Sequence, residues 1–152
     1  MRLIIPILIV CFFTIPSLSD ILEPNPKIKP EEVILIQLSA LQKNNIPYDN
    51  AGIEQTWEFA HPNNKQFTGP LSNFTNMMYS KQYSIILNHK NHKIINVKND
   101  EEISFFFVEI TDFSGNLFGF QWTVKKVVED GILKNCWMTI GVSQPMPIAK
   151  AA

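Results

Sequence analysis

Cysteine is scarce in this chain. Of its 152 residues two are cysteine, and one of these, Cys11, sits in an apolar run near the start. Removing that run leaves Cys136 without an intramolecular partner, so no disulfide framework holds the fold and the hydrophobic core must. An excess of one charge is also missing: 13 basic and 14 acidic side chains give a formal charge of −1. That balance excludes the basic footprint of a nucleic-acid binder. The longest apolar run, Leu3 to Pro16, has 14 residues, short of the roughly twenty that cross a bilayer. Nucleophile elbow, phosphate-cradling glycine loop and triad spacing are all absent, as are internal repeats and low-complexity segments. No reaction is spelled out by a motif.

What is present begins with an address. Met1 and Arg2 precede the apolar run, and Ser17, Leu18 and Ser19 follow it, the pattern of a secretory signal cut after residue 19. A retained anchor and a lipoprotein are the alternatives. The second is disfavoured by Val10, since a lipidated cysteine follows a small residue. Cleavage at that point removes Arg2 and no acidic side chain, so the 13 basic and 14 acidic groups become 12 and 14, a formal charge of −2. The expected location is exported, in a periplasm, a thylakoid lumen or the extracellular space, with no membrane attachment after cleavage. Asn73, Phe74 and Thr75 form a glycosylation sequon that has meaning only in a eukaryotic secretory route.

The expected organisation is a signal over 1–19, an extended linker over 20–29, one α+β domain over 30–145 and a mobile tail over 146–152. Pro30, Glu31 and Glu32 suit a first helical turn, where proline loses no hydrogen bond and carboxylates meet the positive end of the helix dipole. Val33, Ile34, Leu38 and Leu41 then share one face of a helix that ends near Asn44. Asp49 caps a second helix bearing Ile53, Trp57 and Ala60, which His61 and Pro62 stop, with Asn63 and Asn64 in the following loop. A third helix starts at Thr68, Gly69 and Pro70 and buries Leu71, Phe74, Met77 and Met78.

Beyond Lys90 the periodicity becomes that of strands: Ile94 to Lys98, Ile103 to Thr111, Leu117 to Val128 and Leu133 to Val142. Turns at Asn99–Asp100, Ser114–Asn116 and Asp130–Gly131 separate them. Alternation places Phe118, Phe120, Trp122 and Val124 on one side, and Cys136, Met138, Ile140 and Val142 on one side of the last strand. Phe105 to Ile110 is apolar on both sides, so that strand should be covered twice or line a cavity.

The segments WEFAHPNN, FTGPLSNFTNMMYSKQY and NCWMTIGV resemble an uncharacterised family, domain of unknown function 4864, over Glu31 to Gln144. Trp57, Phe59, Ala60, Pro62, Asn63, Thr68, Gly69, Pro70, Phe74, Met77 and Tyr83 carry the likeness. His61 stands where relatives tend to have serine. The family looks like the nuclear transport factor 2-like superfamily, so the resemblance implies a cystatin-like cone: N-terminal helices packed on a curved four-stranded antiparallel sheet. That cone hosts isomerases, dehydratases, transport adaptors and inert modules, so it implies a shape and no reaction.

Candidate chemistry is thin. Glu109 is the one carboxylate within an aromatic strand, on the side of Phe105 and Phe107. Desolvation there would raise its pKa toward that of a general acid or base, whereas a solvent-facing side, or pairing with Lys125, would leave it inert. Trp57, Tyr83, Trp122 and Trp137 are candidate lining for an apolar or aromatic ligand, with His61 at the rim and Phe107 beside Glu109. His89 and His92 lack the third and fourth ligands of a metal site and read as a solvated turn. Cys136 reads as a buried small hydrophobe. The expected function is a noncatalytic module, without cofactor or metal, that binds a small apolar ligand or another protein. A small-molecule isomerase or hydrolase based on Glu109 is the runner-up. A homodimer through an outer sheet face at Phe118, Phe120 and Trp122 is a third reading.

Overall fold

The computed structural model describes residues 20–149. The expected leader, residues 1–19 with Cys11, lies outside the described residues, as do residues 150–152 of the expected tail. Four helices precede an antiparallel sheet: α1 (Pro30–Gln42), α2 (Ala51–Glu58), α3 (Pro62–Thr68) and α4 (Leu71–Met78), then a short 3-10 turn at Ser84–Ile86. The strands are β1 (Asn91–Asn99), β2 (Ile103–Thr111), β3 (Leu117–Lys126), β4 (Trp137–Val142) and β5 (Met146–Pro147). The class is α+β, as expected from the order of elements.

Helix α1 opens at Pro30, and the Glu32 carboxylate accepts the Lys29 N–H at 2.7 Å, which satisfies one of the donors that a helix start leaves open. Its buried face is Val33, Ile34, Gln37, Leu38 and Leu41. Helix α2 is capped differently from the expectation. The N-cap is Asn50 in a left-handed conformation, φ 65°, and its Oδ1 accepts from Asn44 Nδ2 at 3.2 Å and from the Tyr79 hydroxyl at 2.5 Å. The asparagine, which tolerates that backbone and bonds locally, takes the place given to Asp49.

The count of helices also differs. Helix α2 ends at Glu58, short of the expected Ala60, and His61 and Pro62 start α3 instead of stopping α2: His61 Nδ1 accepts the Asn63 N–H at 3.2 Å, and Pro62 occupies the first helical position. A proline there has no hydrogen bond to lose, so Pro62 opens a helix where the sequence pattern predicts a loop.

The strand order is β1-β2-β3-β4, with β5 pairing β3 beyond the end of β4. Inner-face partners stack in register, with Phe106 opposite Trp122, Val108 opposite Phe120 and Ile110 opposite Phe118. These side chains meet Val33, Ile34, Leu38 and Leu41 of α1 in one main core. Strand β2 has the expected limits. Strand β1 is longer than expected at both ends, while β3 stops at Lys126 and β4 begins only at Trp137. The residues between them close a loop through Val127 N–H to Cys136 O and Asn135 N–H to Val127 O at 2.9 and 2.8 Å. That loop buries Val127, Cys136 and Met138 in a second, smaller cluster.

Three expectations about surfaces change. Phe120 and Trp122 are buried in the core and Phe118 packs against it, so these residues cannot form an outer dimer face. The outer face carries Phe105, exposed, and Phe107, half-buried above Gly119, so β2 is fully covered on one side only. The segments read as linker and tail are both tied down: Leu22 exchanges two hydrogen bonds with the Gln55 amide, 2.8 and 2.9 Å, and Met146–Pro147 adds to the sheet, with Ile148 N–H bonded to Leu117 O at 3.0 Å. No helix of the described residues is long and apolar enough to cross a membrane.

Candidate functional site

Between the helices and the inner sheet face lies a cavity of about 150 Å³. Helix α1 contributes Gln37 and Leu41, α2 Thr56, α3 Asn64 and Thr68, and α4 Phe74, Met77 and Met78. Tyr83 and Ile86 come from the chain around the 3-10 turn, Trp122 from β3, and Thr139, Gly141 and Val142 from β4. The floor is buried, whereas Asn64, Thr68, Met77, Tyr83, Gly141 and Val142 are half-buried and form the mouth.

An irregularity in β4 shapes this wall. Val124 pairs with Thr139 and Trp122 with Val142, so the register shifts between Thr123 and Val124. One extra residue sits on the β4 side, and a bulge of this kind puts residues on one face that strict alternation would separate. Thr139 and Val142 therefore both line the cavity. The parallel bridge between Ala60 and Thr139 fixes the rim, through His61 N–H to Thr139 O and Thr139 N–H to Phe59 O, each 2.8 Å.

The polar groups of the floor bond to one another. Trp122 Nε1–H points at Thr139 Oγ1 and Gln37 Oε1, 3.1 and 3.3 Å away. The Thr139 hydroxyl donates to Gln37 Oε1 at 2.6 Å, and Gln37 Nε2 donates to Thr56 O at 3.1 Å. A closed set of this kind removes the cost of burying an indole N–H, a hydroxyl and an amide beside apolar walls. Among the described residues no side chain lining the cavity is a carboxylate, imidazole, thiol or ammonium.

The chain matches no family model, no curated protein and no solved structure.

Of the residues singled out in the sequence, the structure brings Tyr83 and Trp122 to the cavity. Trp57 lies behind it, tilted on Phe74 at 5.2 Å between ring centres, with the Lys65 ammonium 5.0 Å from its own ring. Trp137 is half-buried at the start of β4 under the Lys126 ammonium. His61 is buried and turned away, and its Nε2 has no hydrogen-bond partner among the described residues. Burial pushes its pKa down, and Lys125 adds to this, while Glu129 and the Lys126 carbonyl act in the opposite sense. Phe107 and Glu109 lie on the other face of the sheet from Phe106 and Val108. Glu109 pairs in register with Lys93 and Gly119, and Lys125 is opposite Ile103 instead.

Gln37, Thr139, Asn64 and Thr68 were not among the candidate site residues. Gln37 had a legible signal, as a polar residue on the same helical arc as Val33, Ile34, Leu38 and Leu41. Thr139 had none, because a bulge is invisible to alternation.

The histidine pair differs from the solvated turn expected of it. His89 is buried, its Nδ1 is 2.7 Å from Ile86 O and its Nε2 is 2.7 Å from His92 Nδ1. The carbonyl requires the proton on His89 Nδ1, so Nε2 must accept from His92. Among the described residues no group of three or more His, Cys, Asp or Glu side chains could hold a metal ion. Burial lowers the pKa of both rings, and for His89 the neighbouring His92 lowers it further while the Ile86 carbonyl raises it.

All three histidines thus titrate below 6.5 when folded. On acidification the unfolded chain binds protons first, so the stability from neutral histidines is complete above 6.5 and is lost as pH falls toward the folded values. Each adds to the slope, up to a ceiling of about 1.4 kcal/mol per pH unit for one whole proton. The urea midpoint is expected to fall between about pH 7.5 and pH 5.5, more steeply for the wild type than for His89→Gln. A flat wild-type profile there would contradict the neutral buried pair.

Proposed function

We propose that this chain is an exported, noncatalytic domain of the nuclear transport factor 2-like kind that holds a small apolar ligand between its helices and its sheet. The observation that carries this reading is the cavity itself: it is the size that admits a benzene-like molecule, its wall is largely apolar, and its buried polar groups are already paired. General acid–base catalysis needs a titratable group within reach of the substrate; among the described lining residues the one such group is the Tyr83 phenol, whose hydrogen is bonded to Val142 O, and the carboxylate put forward for that role, Glu109, is on the far face of the sheet. The order of helices followed by an antiparallel meander supports the cone, and the apolar leader at residues 3–16 supports export.

The test uses toluene as probe. It is expected to alter tryptophan emission of the purified protein and to raise its melting temperature, since a ligand at a hundredfold over its Kd adds about 2.7 kcal/mol to stability. Val142→Phe, at the half-buried mouth, should abolish both effects, and Glu109→Gln should leave them unchanged. If the wild type does not respond, or Val142→Phe responds equally, the cavity is not a binding site.

A further inference from the structure

The hydrogen-bonding groups of the cavity are unequally used, and the imbalance points to the chemistry of what enters. Each hydroxyl in the wall has its hydrogen committed to the protein. Tyr83 donates to Val142 O at 3.2 Å, Thr68 to Asn64 O at 3.1 Å, Thr56 to Gly52 O at 2.8 Å and Thr139 to Gln37 Oε1 at 2.6 Å. The indole N–H of Trp122 is committed too. Asn64 and Gln37 each use one amide hydrogen, on Thr139 O and Thr56 O. What remains at the mouth is chiefly lone pairs: those of Tyr83 Oη and Thr68 Oγ1, and Asn64 Oδ1, which accepts no hydrogen bond among the described residues.

A ligand head group facing that mouth finds acceptors, so it gains by donating. An anion finds the reverse, since a carboxylate brought against lone pairs and apolar walls loses its hydration without compensation, and no cationic side chain of the described residues lines the cavity. The body of the ligand meets Phe74, Met77, Met78 and Trp122, and thioethers and aromatic faces favour a ring over a branched chain. A volume of about 150 Å³ admits one ring and not a fused polycycle.

We infer that the cavity takes a neutral, single-ring aromatic molecule carrying a hydrogen-bond donor, of the phenol or aniline class, with the ring against Trp122 and the O–H or N–H directed at the acceptors of Tyr83 and Asn64. This rests on the cavity being a binding site and specifies its ligand.

The experiment measures Kd by titration calorimetry for phenol, toluene, anisole and benzoate with the full chain as purified, and with Tyr83→Phe and Asn64→Leu. At least one of the two variants is expected to weaken phenol about tenfold, the effect of one lost hydrogen bond, while toluene and anisole stay within about twofold of wild type. Benzoate is expected not to bind. The inference is overturned if both variants change phenol and toluene in parallel, if neither changes phenol, or if benzoate binds as well as phenol. Toluene bound without any phenol-specific effect leaves the cavity a binding site and removes only the donor. Failure of every probe removes both.

Discussion

Gly52→Ala is expected to destabilise the protein by about 3 kcal/mol. A Cβ at this position would lie 2.3 Å from the carbonyl oxygen of Ala40 and 2.9 Å from Cα of Asn44, distances at which something must move. Both obstacles are backbone, so no rotamer change relieves them. Helix α1 ends beside Gly52, and the Gly52 N–H bonds to Asn44 O at 3.0 Å while Ile53 N–H bonds to Asn44 Oδ1 at 3.0 Å. Pushing the helices apart would therefore break the hydrogen bonds that start α2 and loosen the α1 face on which the cavity floor is built. The preference of helices for alanine over glycine, about 1 kcal/mol, acts in the other direction and is too small to compensate. Urea denaturation measures the difference, and Gly141→Ala is the control, because nothing lies within 4 Å of a Cβ there. Equal stability of Gly52→Ala and wild type would show that the two helices are not in close contact.

The features that could be read from the residues are those fixed by local chemistry. Pro30 followed by two glutamates marks the start of α1, and the run from Ile103 to Thr111 marks β2 at both ends. The features that could not be read depend on which of two local outcomes the tertiary structure selects. Pro62 is as good a helix opener as a helix stopper, and only the bridge from Ala60 to Thr139 sets the chain at the angle that lets α3 follow α2. Strand β4 is similar: Leu133 to Trp137 has strand-like composition, yet Asn135 adopts a left-handed conformation, φ 67°, and turns that stretch into a loop over Val127. The face of Glu109 follows from β2 pairing on both sides, where Phe106, Val108 and Ile110 are the set that meets the helices. At the cavity, Trp122 and Tyr83 were legible because large aromatic side chains with a polar atom seldom lie in a core without a partner. Thr139 was not, since the irregularity in β4 reverses its side.

Gln37→Leu is expected to cost about 3 kcal/mol, although leucine raises the apolarity of the core. The amide oxygen accepts from both Thr139 and Trp122, and the amide nitrogen donates to Thr56 O. Removing it leaves a buried hydroxyl hydrogen and a buried carbonyl without partners, and each unsatisfied group costs about 1–3 kcal/mol. The indole N–H keeps Thr139 Oγ1 at 3.1 Å, which limits the loss. Because the groups act together, the effects should not add: in the Gln37→Leu background Thr139→Val removes the stranded hydroxyl but also the last acceptor of the Trp122 indole N–H, so the two changes offset and the double variant is expected to be about as stable as Gln37→Leu alone, whereas Thr139→Val in the wild type costs about 1 kcal/mol. The coupling energy measured in a double-mutant cycle by urea denaturation distinguishes a hydrogen-bonded unit from three separately packed side chains. Additive losses would mean that Gln37, Thr139 and Trp122 are neighbours without being partners, and the floor of the cavity would then present unsatisfied polar atoms to whatever binds there.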